Sequence, residues 1–584
     1  MFDLLIRGGR VIDGAGNPWF HADVGVVGDR IAVVGPVSEP AARTIDADGL
    51  VVCPGFVDMH THSDIQLLAN PAHEAKDALD EFMNQVLAAE DREIDAAGLV
   101  VCPGFTDMHT HSDIQLLAHP EHEMKVRQGV TCDVIGQDGL AFAPVTDGVL
   151  DQLRDLLAGW NDDPPGFDWN WRTVSEYLDR FDRGVGVNAA YLVPHATVRM
   201  VAMGSDDRPP SESELAEMKR LVAEGIEQGA VGLSSGLTYA PGMYATDEEL
   251  IELCSVMRET GGYYTPHHRN YGMTAIEAYG DCIEIARRAE VPLHYAHAHL
   301  GFDVNRGRAP ELLAIVDQAR AAGIDVTMDT YPYLAGATYL HAYLPGWVHA
   351  GGVEPAIDRL RDPELRERIR AEMEETGSDG FHDVPMDWSR IVISGVRLDE
   401  NRSVVGRSVA EAAASAGEQP IDFYCELCAS EELGASSIAH IGNEENVRTI
   451  MQHPAHRASS DGILVGERPH PRGWGTFPRY LGVYVRELGI LTWEGAIRKM
   501  TSLPAQRLGF PDRGLVRPGM AADLVCFDPE TVRDTATYDD PKQLPEGIPY
   551  VAVNGRLAVD GGRLTGDLAG RSLRLGRPTA GVEL

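Results

Sequence analysis

Short β-rich runs alternate with turn signals along the first fifty residues: 3–7, 10–12, 23–27 and 30–34 are separated by Gly8-Gly9, Asp13-Gly14-Ala15-Gly16 and Gly28-Asp29. The same pattern returns near the other end, where runs 550–553 and 556–559 flank Asn554-Gly555, a hairpin signal, after the apolar run 524–527. Both ends therefore read as strands of one small β-sandwich domain interrupted by a large insertion. Within that insertion, apolar runs at 185–192, 230–233, 263–265, 293–296 and 325–329 read as strands. Between them, 212–228, 247–260, 275–289 and 310–322 carry apolar residues at helical spacing with charged opposite faces. Strand-helix alternation over this length predicts an α/β fold, with a (β/α)8 TIM-like barrel as first choice. The stretch 334–457 is too long for one crossover and is expected to form an accessory insertion.

One segment occurs twice. Residues 44–76 recur almost unchanged as 93–125, an offset of 49, each copy containing Val-Cys-Pro-Gly-Phe-x-Asp-Met-His-Thr-His. Solenoids need more copies than two, so a tandem duplication explains the pattern better. The expected organisation is β-sandwich from 1–52, duplicated insertion 53–101, barrel 102–512 and β-sandwich again from 513–584. Only one copy can fill a given barrel strand. Residues 121–128 read as a helix leading from His111 toward Asp138, about one βα unit, which favours His109 and His111 over His60 and His62.

Acidic residues outnumber basic ones by 89 to 50, a formal charge of −39, which argues against a nucleic-acid partner. No long apolar run suggests a membrane span, and the first residues lack the pattern of a secretion signal. A cytoplasmic protein is the plain expectation; oligomeric state stays open, a homo-oligomer included. Cys425 and Cys428 have CxxC spacing but no matching second pair, so a structural zinc there is disfavoured.

The chemistry starts with His109-Thr110-His111. In a strand, residues i and i+2 face one side, so both imidazoles can converge on one ion. An isolated pair is weak evidence for a metal. His267 and His297, however, each end an apolar run and stand thirty residues apart, and Asp461 ends another run before Gly462. Barrel enzymes carry their chemistry at such strand tips. Two histidines, then one, one more and an aspartate point to one or two divalent ions, most simply Zn²⁺.

These motifs, with residues 229–242, Asp329-Thr330-Tyr331-Pro332-Tyr333, Ser460-Asp461-Gly462 and 470–477, resemble the amidohydrolase superfamily and, within it, the N-acyl-D-amino-acid deacylases (D-aminoacylases). The resemblance covers nearly the whole chain apart from the extra 49 residues. It implies hydrolysis of a linear amide in a small N-acyl amino acid, with His109 and His111 at one metal position, His267 and His297 at the other, and Asp461 as general base. Two departures stand out. Asp138 occupies the place of a metal-binding cysteine, and can be either a ligand or a turn residue before Gly139; nearby Cys132 reads as packing. His299 replaces a lysine that helps hold the substrate carboxylate. Tyr331, Tyr333, Arg269 and Arg472 are further candidates for substrate contact, each with an equal claim to a packing role. The alternatives are a cyclic amidohydrolase of dihydroorotase or hydantoinase type, which lacks its expected strand-tip lysine here, and a non-catalytic ligand-binding homologue. A sugar-processing barrel lacks paired carboxylates at strand ends.

Overall fold

The computed structural model describes residues 2–37 and 92–576. The first copy of the duplicated motif, with His60 and His62, lies outside the described residues. The second copy enters the barrel.

Eight parallel strands form that barrel: β1 (Phe105–Asp107), β2 (Val130–Ile135), β3 (Asn188–Pro194), β4 (Gly232–Gly236), β5 (Tyr263–His267), β6 (Leu293–Tyr295), β7 (Val326–Thr330) and β8 (His456–Ala458). Seven neighbouring pairs follow in chain order. The ring closes where Met108 donates to the Ala458 carbonyl at 3.5 Å and Gly462–Ile463 pairs in parallel with Thr110–His111. Helices cover the outside, and the main apolar core lies between them and the strands. Local sequence sets their limits. Helix Glu212–Glu227 starts at a capping box of Ser211 and Glu214, and the chain then turns at Gly229, φ +116°.

Two strands sit differently from the apolar runs that announced them. The run 185–192 becomes Asn188–Pro194, because Val185 bridges to Gly570 and Gly186 donates to the Pro120 carbonyl outside the barrel. The run 230–233 becomes Gly232–Gly236, which carries Ser234 and Ser235 into a buried strand. Their hydroxyls are satisfied there, Ser234 donating to the Gly136 carbonyl at 2.5 Å and Ser235 bonding to the Tyr264 hydroxyl at 2.7 Å.

Strands from both chain ends join one nine-stranded sheet, with Val100–Pro103 antiparallel to Leu524–Phe527. The Asn554-Gly555 turn is left-handed at both positions, φ +47° and +82°, as a type I′ hairpin requires. The insertion after β7 builds its own layer. Three antiparallel strands, Gly336–Tyr339, Ile391–Gly395 and Ser436–Ala439, pack with helices around a separate core. Cys425 and Cys428 are buried and free in helix Pro420–Ser430 and belong to that core.

Candidate metal centre

The HxH pair sits where β1 passes through Met108 into the short strand Thr110–His111. This places both rings beside Asp461, whose amide donates to the His109 carbonyl at 2.8 Å. Asp461 Oδ1 stands 3.5 Å from His109 Nε2 and 3.3 Å from His111 Nε2. Asp138, from the loop after β2, reaches every histidine of the group. Its oxygens lie 3.6 Å from His109 Nε2, 3.5 Å from His111 Nε2, 3.6 Å from His267 Nδ1 and 3.6 Å from His297 Nε2. Two sets of buried donors result: His109, His111, Asp138 and Asp461, and Asp138, His267 and His297. They share Asp138.

These residues fit divalent ions. Ligands about 2.0–2.1 Å from a tetrahedral ion stand about 3.3 Å apart, close to the donor separations above. Both ring nitrogens of His109 and Oδ1 of Asp138 are buried without any hydrogen-bond partner. Such groups are costly unless something else satisfies them. Asp138, His297 and Asp461 also hold left-handed backbones, φ +54°, +32° and +49°. Strain of this kind is unfavourable for non-glycine residues and concentrates at functional sites.

An outer layer fixes the rings. Thr238 Oγ1 contacts His267 Nε2 at 2.7 Å and the Tyr271 hydroxyl contacts His297 Nδ1 at 3.0 Å, leaving Nδ1 of the first and Nε2 of the second to converge, 2.9 Å apart, beside Asp138. Asp329 accepts from the His297 amide at 2.9 Å and the Ser459 hydroxyl at 2.5 Å, and its other oxygen meets His294 at 2.9 Å. Beneath the other set, Asp107 accepts from the amides of Ser460 and His109 at 2.8 and 3.3 Å and from buried Lys125 at 2.5 Å. Lys125 also donates to Ser460 Oγ at 2.7 Å, so one ammonium ties the tip of β1 to the tip of β8. Thr238→Val and Tyr271→Phe are each expected to weaken binding at the His267/His297 position by about 10–100-fold, the usual cost of losing an outer partner of a ligating histidine. Zinc competition titrations should show that loss with the His109/His111 position unchanged.

Electrostatics follow from this packing. Burial alone would raise Asp138, yet the neighbouring histidines, His109 foremost, hold it well below the usual carboxylate range. Asp461 is held low against burial by Arg472 and His109. Burial opposes charge on His111 too, but its hydrogen bonds to Asp138 and Asp461 prevail and push it up to about 9, so an ion arriving there displaces a proton. Burial pushes His267 down to about 4.

A family model described as the amidohydrolase family matches residues 43–91 and 92–559. The chain belongs to that family. Among the similar amidohydrolases, a D-aminoacylase of Alcaligenes xylosoxydans xylosoxydans is 34% identical over 574 residues, 98% of this chain and 97% of its own. A D-aminoacylase structure solved to study the role of its binuclear metal centre superposes with a TM-score of 0.75 at 33% identity, covering 98% of this chain and 100% of that one. An N-acyl-D-glutamate deacylase of Bordetella bronchiseptica, in complex with zinc and a phosphonate mimic of the tetrahedral intermediate, gives 0.76 at 30% identity, covering 98% and 99%.

Not every candidate from the sequence meets this amidohydrolase centre. Arg472, Tyr331 and His299 line the pocket over the two donor sets. Arg472 is buried, pairs with Asp461 Oδ2 at 2.9 Å, and stacks on the Tyr331 ring at 4.5 Å. His299 is pushed down to about 3 by burial and by His297, and its Nε2 is taken by Thr330 Oγ1 at 2.7 Å. It therefore presents no cation, and Arg472 supplies the positive charge at this wall. Arg269 turns outward instead, bonding to the Ala245 carbonyl at 2.7 Å and pairing with Asp247 at 3.1 Å. Tyr333 packs behind the wall between His470 and Arg479. Thr238, Tyr271, Asp107 and Lys125 carry no separate signal in the sequence, because each acts by a contact between elements. Trp160 is similar: its ring lies 4.4 Å from that of His111, yet it comes from helix Asp147–Asn161.

Proposed function

We propose that this amidohydrolase cleaves the amide of N-acyl-D-amino acids, releasing a carboxylic acid and the free amino acid. The observation that carries the reading is the placement of Asp461, a buried carboxylate beside both histidines of one donor set and paired with Arg472 at the pocket wall. Similarity to D-aminoacylase and to N-acyl-D-glutamate deacylase supports the substrate class.

His109 and His111 would hold one divalent ion and His267 and His297 a second, with Asp138 facing both and Zn²⁺ the simplest choice. When bound, such an ion lowers the pKa of water from about 16 toward 7 and polarises the amide carbonyl. Asp461 takes a proton from the attacking water and hands it to the leaving nitrogen as the C–N bond breaks. Arg472 fixes Asp461 and offers its remaining N–H groups to the substrate carboxylate. Tyr331 braces the guanidinium from behind. The residues lining the pocket include no lysine among the described residues, which leaves the cyclic-amide reading without the ligand it would need.

Amine release from N-acetyl- and N-formyl-D- and L-amino acids, with added Zn²⁺ and with chelator, tests this. Turnover confined to D-substrates and abolished by chelation is the expected result. Folded, metal-loaded protein inert toward the whole panel would overturn the assignment.

A further inference from the structure

Beyond the metal pocket lies a second, larger chamber. The space over the metal ligands is about 100 Å³, whereas the neighbouring cavity is about 480 Å³. That is within the roughly 300–1,000 Å³ of pockets that hold small organic ligands. Thr238, Tyr239 and Ala342 border both spaces, so the two share a wall. Tyr239 lies directly against the metal site, its ring 4.8 Å from that of His267, and its hydroxyl is tied to Thr338 Oγ1 at 3.0 Å.

The chamber's position in the barrel is informative. Thr238 and Tyr239 follow β4, while Asp461 and Arg472 follow β8. In a closed ring of eight strands these positions are diametrically opposed. On the deacylase reading, a substrate with its carboxylate at Arg472 and its amide over the two donor sets would direct its acyl carbon across the ring, toward β4 and the shared wall. Leu140, Met200, Ile357 and Leu433 are buried in its lining, together with Tyr339 and His341, whereas the charged residues Asp155, Glu354, Arg397 and Glu432 are exposed at its rim. Four aliphatic side chains and no buried charged residue in the lining suit an aliphatic chain better than a second charged group.

We propose that this chamber is an acyl-chain site, and that the enzyme acts on amino acids bearing medium-length aliphatic acyl groups. The proposal rests on the deacylase reading above and extends it to the substrate's other half. Burying one methylene multiplies affinity by about fourfold, so even partial use of the walls gives a steep response to chain length.

The experiment is a series of N-acyl-D-amino acids from acetyl to octanoyl, measured on the zinc-loaded enzyme and on Leu156→Trp and Val353→Trp. Both substitutions fill the chamber from partly exposed positions remote from the metal ligands. In the unmodified enzyme kcat/KM is expected to rise at least about 50-fold from acetyl to octanoyl, mostly through KM. In the filled variants the acetyl substrate is cleaved as before and the gain disappears. A flat chain-length profile in the unmodified enzyme overturns the proposal even if neither variant folds. A gain that follows the amino-acid side chain at fixed acetyl also overturns it. Should no compound be cleaved, the deacylase reading fails separately, and calorimetric binding of the same series decides for the chamber: affinity that rises with acyl length and is lost in Leu156→Trp supports it, and length-independent binding rejects it.

Discussion

Asp461→Asn is expected to lower kcat by about 10²–10⁴-fold, the range for loss of a general acid-base group, while metal content stays unchanged. The substitution keeps the shape and one oxygen of the side chain, so Arg472, whose Nη1 stands 2.9 Å from Oδ2, retains an oxygen to pair with. What goes is the capacity to accept and return a proton. The backbone tolerates the exchange, since asparagine is as much at home as aspartate at φ +49°. The comparison that matters is kcat against metal stoichiometry, both taken on the same preparation. A fall in kcat with full metal makes Asp461 the proton carrier. Loss of metal in parallel with activity would instead make it principally a ligand of the His109/His111 set, to which its carboxylate is close enough. Unfolding of the variant would point to the Arg472 pair as a structural element, because a buried charge left without its partner costs about 3–5 kcal/mol.

Much of this site was legible in the sequence because barrels convert chain order into spatial order. His109 and His111 share a face by the period of two, and His267 and His297 stand one βα unit apart, so their strands are neighbours. Asp461 could be placed at a strand tip for the same reason. Arg472 was a candidate through its motif alone; its ion pair with Asp461 depends on how the segment after β8 folds back. Arg269 lies two residues from His267, yet the chain turns after β5 and Asp247 captures the guanidinium on the outside. Residue type and proximity in sequence say nothing about that turn. His299 has the opposite lesson. A histidine in place of lysine already reads as a poorer partner for an anion, but that burial and the neighbouring His297 hold the ring neutral is visible only in its three-dimensional surroundings. The chamber behind Tyr239 is built from helices and loops after β2, β3 and β4 and from the insertion, and no local pattern records such a space.

Asp138 was the residue on which the sequence stayed evenly divided, and its substitution has the widest consequence. Asp138→Ala is expected to weaken metal binding at both positions by more than the roughly 10–100-fold that an outer-layer partner costs, and turnover should fall with occupancy. The reason is its place between the sets. Its two oxygens face all four histidines at 3.5–3.6 Å, and no other carboxylate among the described residues belongs to both groups. Without it the His267/His297 position keeps only two neutral imidazoles, too few for tight binding of a tetrahedral ion. Asp138→Cys separates charge from geometry. A thiolate restores an anionic donor at the position where the resemblance to the deacylases implies a cysteine, so zinc binding should recover while harder ions such as Mn²⁺ do not. The turn residue reading makes the contrary forecast. Asp138 precedes Gly139 with both backbones left-handed, φ +54° and +73°, and if shaping that turn were its whole role, alanine would reduce stability and leave metal stoichiometry intact. Elemental analysis at buffered free zinc, alongside thermal unfolding of the metal-free protein, distinguishes the two: loss of metal with little change in the melting temperature identifies a bridging ligand.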